Sequence, residues 1–130
     1  PTANRVEPGK RPRSSMSPTI VYDQSGQPVL AIGAAGGPTI IAQVAKAIVG
    51  VLDWKLDVRS AIALPTFMGN GDTLRIEEGT SVGGMADQLR AMGHEVKVDD
   101  FGGKLNGIDK MTGQWRGGAD PRSNGVAAAP

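Results

Sequence analysis

The stretch Gly33-Ala34-Ala35-Gly36-Gly37-Pro38-Thr39 holds the clearest capacity for chemistry in this chain. Adjacent glycines reach backbone angles closed to other residues and let a ligand approach the main chain. An apolar run follows from residue 38. A helix there aims its unpaired N–H groups and positive dipole end back at the glycines. That combination suits an anion or an oxyanion. No Lys-Ser/Thr pair follows, so this is not a Walker A loop, and the G-x-G-x-x-G fingerprint is incomplete. The same residues equally make a tight strand-to-helix turn with no ligand. A second candidate precedes it in Ser14-Ser15-Met16-Ser17-Pro18-Thr19. Four hydroxyls in this short stretch could donate to a carboxylate, with Lys10, Arg11 and Arg13 nearby to draw an anion in. The plainer use of such hydroxyls is local bonding to the backbone at a strand entry.

The remaining chemistry-bearing residues are sparse. His94 is the one histidine and there is no cysteine, which excludes thiolate metal sites and disulfides and leaves no basis for a transition-metal centre. No nucleophile elbow accompanies His94, so a Ser-His-Asp triad is not expected and a strand-end or surface position is. Glu77-Glu78 and Asp99-Asp100 read as solvated edges and lack calcium-loop spacing. Gly117-Gly118-Ala119-Asp120-Pro121-Arg122 reads as a turn. Pro1 carries a secondary amine able to act as a base, but it heads an extended arm.

The elements that must position these residues fit a single domain or part of one, at 130 residues. Gly and Pro, 19 and 9 residues, indicate many loops. The aliphatic content with Phe, about a fifth of the chain, is just above the level where disorder is the default. A net charge of +1 favours folding and gives no basis for nucleic acid or an anionic membrane as partner. No apolar run reaches the ~18 residues of a membrane span. With two Trp, one Tyr and two Phe the core is thin, and a partner surface is expected to complete it.

Residues 1–13 form an extended arm. A hairpin spans 18–33, turning at Asp23-Gln24-Ser25-Gly26-Gln27. The best helix covers 38–52; its apolar positions nearly encircle it, so it should lie between layers. A short helix follows over 58–63, stopped by Pro65. A strand at 74–77 leads to a helix over 81–92, with Ser81 as N-cap, Gly93 as C-terminal glycine and Val82, Met85, Leu89 and Met92 as its stripe. Further strands fall at 95–98, 106–110 and 114–119. The class is α+β.

Taken in order, these segments resemble the gamma-glutamyltransferase (gamma-glutamyl transpeptidase) family. The most specific string is Pro8-Gly9-Lys10-Arg11-Pro12-Arg13-Ser14-Ser15-Met16-Ser17-Pro18-Thr19. Gly33-Ala34-Ala35-Gly36-Gly37, Ala63-Leu64-Pro65-Thr66-Phe67, Met92-Gly93-His94 and Gly118-Ala119-Asp120-Pro121-Arg122 follow in the family's order. The resemblance runs from about Pro8 to Ala128.

It implies part of an N-terminal-nucleophile hydrolase αββα sandwich, made as a precursor that cuts itself into a large and a small subunit. The threonine so exposed attacks a gamma-glutamyl donor such as glutathione and passes the acyl group to water, an amino acid or a peptide. This chain resembles the C-terminal part of the small subunit. The nucleophile segment and the large subunit are then its partners; Thr2 does not stand in the matching context. By position, Ser14 and Ser15 match the serines that bind the donor's alpha-carboxylate, Met16 the methionine beside them, and Gly36 and Gly37 the oxyanion-hole pair. The chain departs from the family at Ala34-Ala35, where Ser-Pro is common, and at Lys104-Leu105, where small polar residues are usual. No cofactor or metal is implied, and the compartment implied is periplasmic or extracellular. An acylase of the same fold acting on a glutaryl-like group, as in cephalosporin acylases, is one alternative; a non-catalytic remnant or binding module is another.

Overall fold

A computed structural model describes residues 5–128, which leaves Pro1 and Thr2 outside the described residues. Two short strands open the fold, β1 (Thr19–Tyr22) and β2 (Pro28–Ala35). They pair as an antiparallel hairpin in which Thr19 faces Ile32. Asp23 closes its turn by accepting from the Ser25 and Gln27 N–H groups. A 3-10 turn (Gly37–Thr39) then runs into α1 (Ile40–Leu52), and α2 (Val58–Ala63) follows. Next come β3 (Phe67–Asn70), β4 (Thr73–Glu77), a 3-10 turn (Gly83–Met85) and α3 (Ala86–Ala91). The last strands are β5 (Glu95–Asp99), β6 (Lys104–Asp109) and β7 (Arg116–Ala119). The α+β class holds.

The strands form two sheets. One has the order β1-β2-β6-β7 and is antiparallel throughout; the other has the order β3-β4-β5 and pairs β4 with β5 in parallel across α3. Strand alternation sends Leu30, Ile32 and Leu105 to one face of the larger sheet, where they meet Val44, Ala47, Val51, Val58, Ala61 and Ile62 of α1 and α2. α2 sits hard against the sheet at Gly118, where an added Cβ would come within 2.9 Å of the Arg59 Cα. The other face of the sheet stays open. Ile20 is 57% and Ile108 45% exposed on it.

Several expectations need correction. The helix expected over 81–92 is shorter: two glycines at its start hold the chain in a 3-10 turn, and α3 begins only at Ala86. Ser81 does not cap it. No side chain does; Thr80 instead closes the turn ahead of the 3-10 segment, accepting from the Gly83 N–H at 3.3 Å while its hydroxyl donates to the Glu77 carbonyl at 2.8 Å. Its intended stripe is also largely uncovered, with Met85 and Met92 exposed. Gly93 does end the helix, at φ 93°, and the His94 N–H reaches back to the Leu89 carbonyl. Glu77 is not a solvated edge but buried, and Asp99 pairs with Arg75 at 2.6 Å. Among the described residues α1 packs on one side only, so the second layer expected against it is not part of this segment. Ile41 and Val49, on its outer side, are exposed.

Candidate active site

Ser14 to Thr19 are held by a ladder of short-range bonds that sorts the four hydroxyls. Ser17 Oγ donates to the Ser15 carbonyl and Thr19 Oγ1 to the Ser17 carbonyl, so both protons are spent on the backbone. Ser14 Oγ accepts from the Met16 N–H at 3.2 Å, which leaves its own proton free. Ser15 Oγ has no hydrogen-bond partner among the described residues. Both readings of this stretch are therefore present, divided between residues. Ser14 and Met16 are exposed and Ser15 is half-buried.

Gly36 and Gly37 form the link between β2 and α1, at φ 139° and 60°. Both values lie where side-chain-bearing residues are strained. Pro38 occupies the first turn, where a missing N–H has no cost. Among the described residues neither the Gly36 nor the Gly37 N–H meets an internal acceptor. The Gly36 carbonyl is engaged: it accepts from the Thr39 hydroxyl at 3.0 Å and from the Thr39 N–H at 3.4 Å. Thr39 in turn accepts from the Gln43 amide at 2.7 Å.

Sheet pairing sets the two segments at one end of the molecule. Thr19 pairs with Ile32 and Ala35 with Lys104, so the chain before β1, the chain after β2 and the start of β6 share one sheet end. No hydrogen bond joins Ser14, Ser15 or Met16 to Gly36 or Gly37. A concavity of about 790 Å³ starts beside both segments, at Pro18 and Gly33, and runs over the open sheet face past Ile108 and Trp115 to Val126.

A second polar cluster was not legible as such in the sequence. Arg122 donates to Glu77, to Asp120 at 3.1 Å and to the Leu64 carbonyl at 3.0 Å. Glu77 also accepts from the Thr66 N–H at 2.6 Å. Lys46 donates to the Ile62 and Leu64 carbonyls and to Thr66. Burial pulls its ammonium down to about 8; the Arg122 charge pushes the same way, while Glu77 and Asp120 oppose it. Asp120 and Arg122 do stand at a turn, which the Ser123 N–H closes on the Asp120 carbonyl at 3.0 Å, and from it they form an internal clamp, whereas Gly117 to Ala119 belong to β7. Among the described residues no group of three or more His, Asp or Glu gathers as a metal site, and no helix is long and apolar enough to cross a membrane.

The chain matches the family model for gamma-glutamyltranspeptidase over residues 1–130. It is 35% identical over 129 residues to a glutathione hydrolase proenzyme of Bacillus subtilis, covering 96% of this chain and 22% of that protein. It is 39% identical over 124 residues to the glutathione hydrolase proenzyme of Escherichia coli, covering 93% of this chain and 21% of that protein. The chain therefore spans about a fifth of the length of these curated relatives. Among solved structures, it is similar to a gamma-glutamyltranspeptidase from Pseudomonas nitroreducens complexed with L-DON, with a TM-score of 0.84, 30% identity, and coverage of 98% of this chain and 68% of that one. A cephalosporin acylase from Bacillus halodurans shares the fold at a TM-score of 0.68 and 28% identity, over 79% of this chain and 20% of that one. Fold, motif order and similarity agree, and the chain belongs to the gamma-glutamyltranspeptidase family.

Proposed function

We propose that this chain is the C-terminal part of the small, catalytic subunit of an enzyme that transfers or hydrolyses gamma-glutamyl groups. The observation that carries the reading is the Gly36-Gly37 turn. It presents two N–H groups that meet no acceptor among the described residues, at the 3-10 turn that leads into a 13-residue helix, at the same sheet end as the free hydroxyls of Ser14 and Ser15.

In this reading the donor's alpha-carboxylate accepts from Ser14 and Ser15, with Met16 beside them. The donor's gamma-carbonyl lies on the Gly36 and Gly37 N–H groups. A threonine hydroxyl from the upstream segment attacks the carbonyl carbon. The negative oxygen of the tetrahedral intermediate is then held by fixed backbone donors that need no reorganisation when the charge appears. Collapse expels the leaving amine, which takes up the proton given up by the threonine hydroxyl, and leaves a gamma-glutamyl ester on the threonine. Water or the amine of an amino acid or peptide then attacks the ester and releases the threonine. Self-cleavage of a precursor would expose that threonine, and the large subunit would complete the donor site. A periplasmic or extracellular setting follows from the family resemblance.

The similarity to a cephalosporin acylase supports a second reading, in which the acyl group is glutaryl. Glutaryl lacks the alpha-amino group, so the full-length protein assayed on matched gamma-glutamyl and glutaryl anilides separates the two. The proposal expects a higher kcat/KM on the gamma-glutamyl compound. Preference for the glutaryl compound would establish the acylase, and turnover of neither would favour a non-catalytic remnant.

A further inference from the structure

We propose that Gln43, acting through Thr39, is a positioning residue that orients the Gly36-Gly37 peptide toward the reacting carbonyl; the inference rests on the oxyanion reading above. Gln43 is 1% exposed, a polar side chain in an otherwise apolar stretch of α1. Its two ends are both engaged. The Lys104 N–H reaches its Oε1 at 3.4 Å, and its Nε2 reaches Thr39 Oγ1 at 2.7 Å.

The direction of this relay is forced by chemistry. A main-chain N–H can only donate, so the amide oxygen must face Lys104 and the amide nitrogen must face Thr39. A carbonyl can only accept, so the single hydroxyl proton of Thr39 goes to Gly36. Thr39 must then accept from Gln43, and no other polarity satisfies all three contacts. The Gly36 carbonyl and the Gly37 N–H belong to one planar trans peptide and point to opposite sides of it. Pinning the carbonyl inward therefore turns the Gly37 N–H outward. A glycine at 36 is required for the contact itself, since a Cβ there would stand 2.7 Å from Thr39 Oγ1 and 3.1 Å from Gln43 Nε2. Through Lys104 the relay also ties the turn to the first residue of β6, so its orientation is referred to the sheet rather than to the loop.

The test uses the full-length precursor carrying this segment, with kinetics on matured enzyme and a gamma-glutamyl anilide as donor. Thr39→Val and Gln43→Met each break the relay at near-constant volume; Thr39→Ser keeps the hydroxyl; Gly37→Val reports on the oxyanion reading itself. Loss of an oxyanion donor lowers kcat about 10²–10³-fold, so a donor left in place but unpinned is expected to lose about tenfold. The inference predicts that loss in kcat for Thr39→Val and Gln43→Met, with KM within about twofold and recovery in Thr39→Ser. It is overturned if both relay variants keep kcat while Gly37→Val loses it. It is equally overturned if their kcat falls only in step with thermal stability and Thr39→Ser does not recover. Retention of kcat in Gly37→Val would instead remove the oxyanion reading. Should Gln43→Met fail to mature, Thr39→Val against Thr39→Ser decides alone.

Discussion

Ser14 and Ser15 differ from Ser17 and Thr19 in what their protons are free to do. The latter two donate to backbone carbonyls, whereas the Ser14 hydroxyl only accepts and the Ser15 hydroxyl is unengaged among the described residues. A hydroxyl donating to a carboxylate is worth roughly 1.5–3 kcal/mol because the acceptor is charged. Ser14→Ala combined with Ser15→Ala in the complete enzyme is therefore expected to lower kcat/KM for gamma-glutamyl donors by at least about tenfold. Unchanged kinetics in the double variant would assign both serines to the local ladder. Adjacency singled out these serines and the glycine pair in the sequence, but each motif alone had a plainer use, a local backbone bond or a tight turn, and only the structure divides the hydroxyls between the two uses. Gln43 was not legible. In sequence it is one amide in an apolar helix, and only the pairing of β2 with β6 brings Lys104 to its oxygen.

α2 shows how a six-residue helix persists when its own hydrogen bonds are too few. At its start Asp57 accepts from the Ser60 N–H, and Asp109 accepts from the Val58 N–H at 2.9 Å. At its end Lys46 and Arg122 take the carbonyls of Ile62 and Leu64. Arg122 also joins the two sheets through Glu77 of β4. Removing one partner of a buried ion pair leaves an uncompensated charge and costs about 3–5 kcal/mol. Arg122→Leu should accordingly lower the unfolding free energy of the full protein by that amount in denaturant titration. A loss below about 1 kcal/mol would mean the clamp is solvent-screened like a surface pair. Lys46 supplies a pH signature. Its folded-state value of about 8 lies below the ordinary lysine value of 10.5. Between these two values the unfolded chain binds more protons, so this group makes stability rise with pH across that window and contributes its full burial cost below it. The thermal midpoint of the wild type minus that of Lys46→Met should therefore climb from about pH 8 to about pH 10.5; a flat or falling difference would contradict the assignment. The bounds of α2 were readable because Pro65 stops it and apolar spacing defines it. β3 was not, because Phe67-Met68-Gly69-Asn70 has no alternation and becomes a strand only by pairing with β4. The start of α3 failed for a related reason: the added Cβ position of Gly83 lies 2.6 Å from the Glu77 carbonyl, so the chain is pressed against the end of β4 there.

The molecule as a whole has two uncovered apolar sides, the outer stripe of α1 with Ile41 and Val49 and the open sheet face with Ile20 and Ile108. Five aromatic residues cannot close both, and Trp54, Phe67 and Trp115 are themselves exposed. The sequence anticipated this in the near-complete apolar girth of the helix over 38–52, although which side would lack a partner depends on the sheet. Residues 1–130 expressed alone should therefore show no cooperative unfolding transition by calorimetry and no gamma-glutamyl release. A sharp transition would show that the fragment closes its own core, and turnover would show that it carries its own nucleophile. The central claim is that Gly36 and Gly37 hold the oxygen on which charge develops. It is tested most directly by the structure of the mature full-length enzyme trapped as its gamma-glutamyl ester. The ester carbonyl oxygen is expected at about 2.7–3.2 Å from the Gly36 or Gly37 nitrogen, within hydrogen-bond range. A carbonyl oxygen farther than about 4 Å from both nitrogens would contradict it and reduce the glycine pair to a turn.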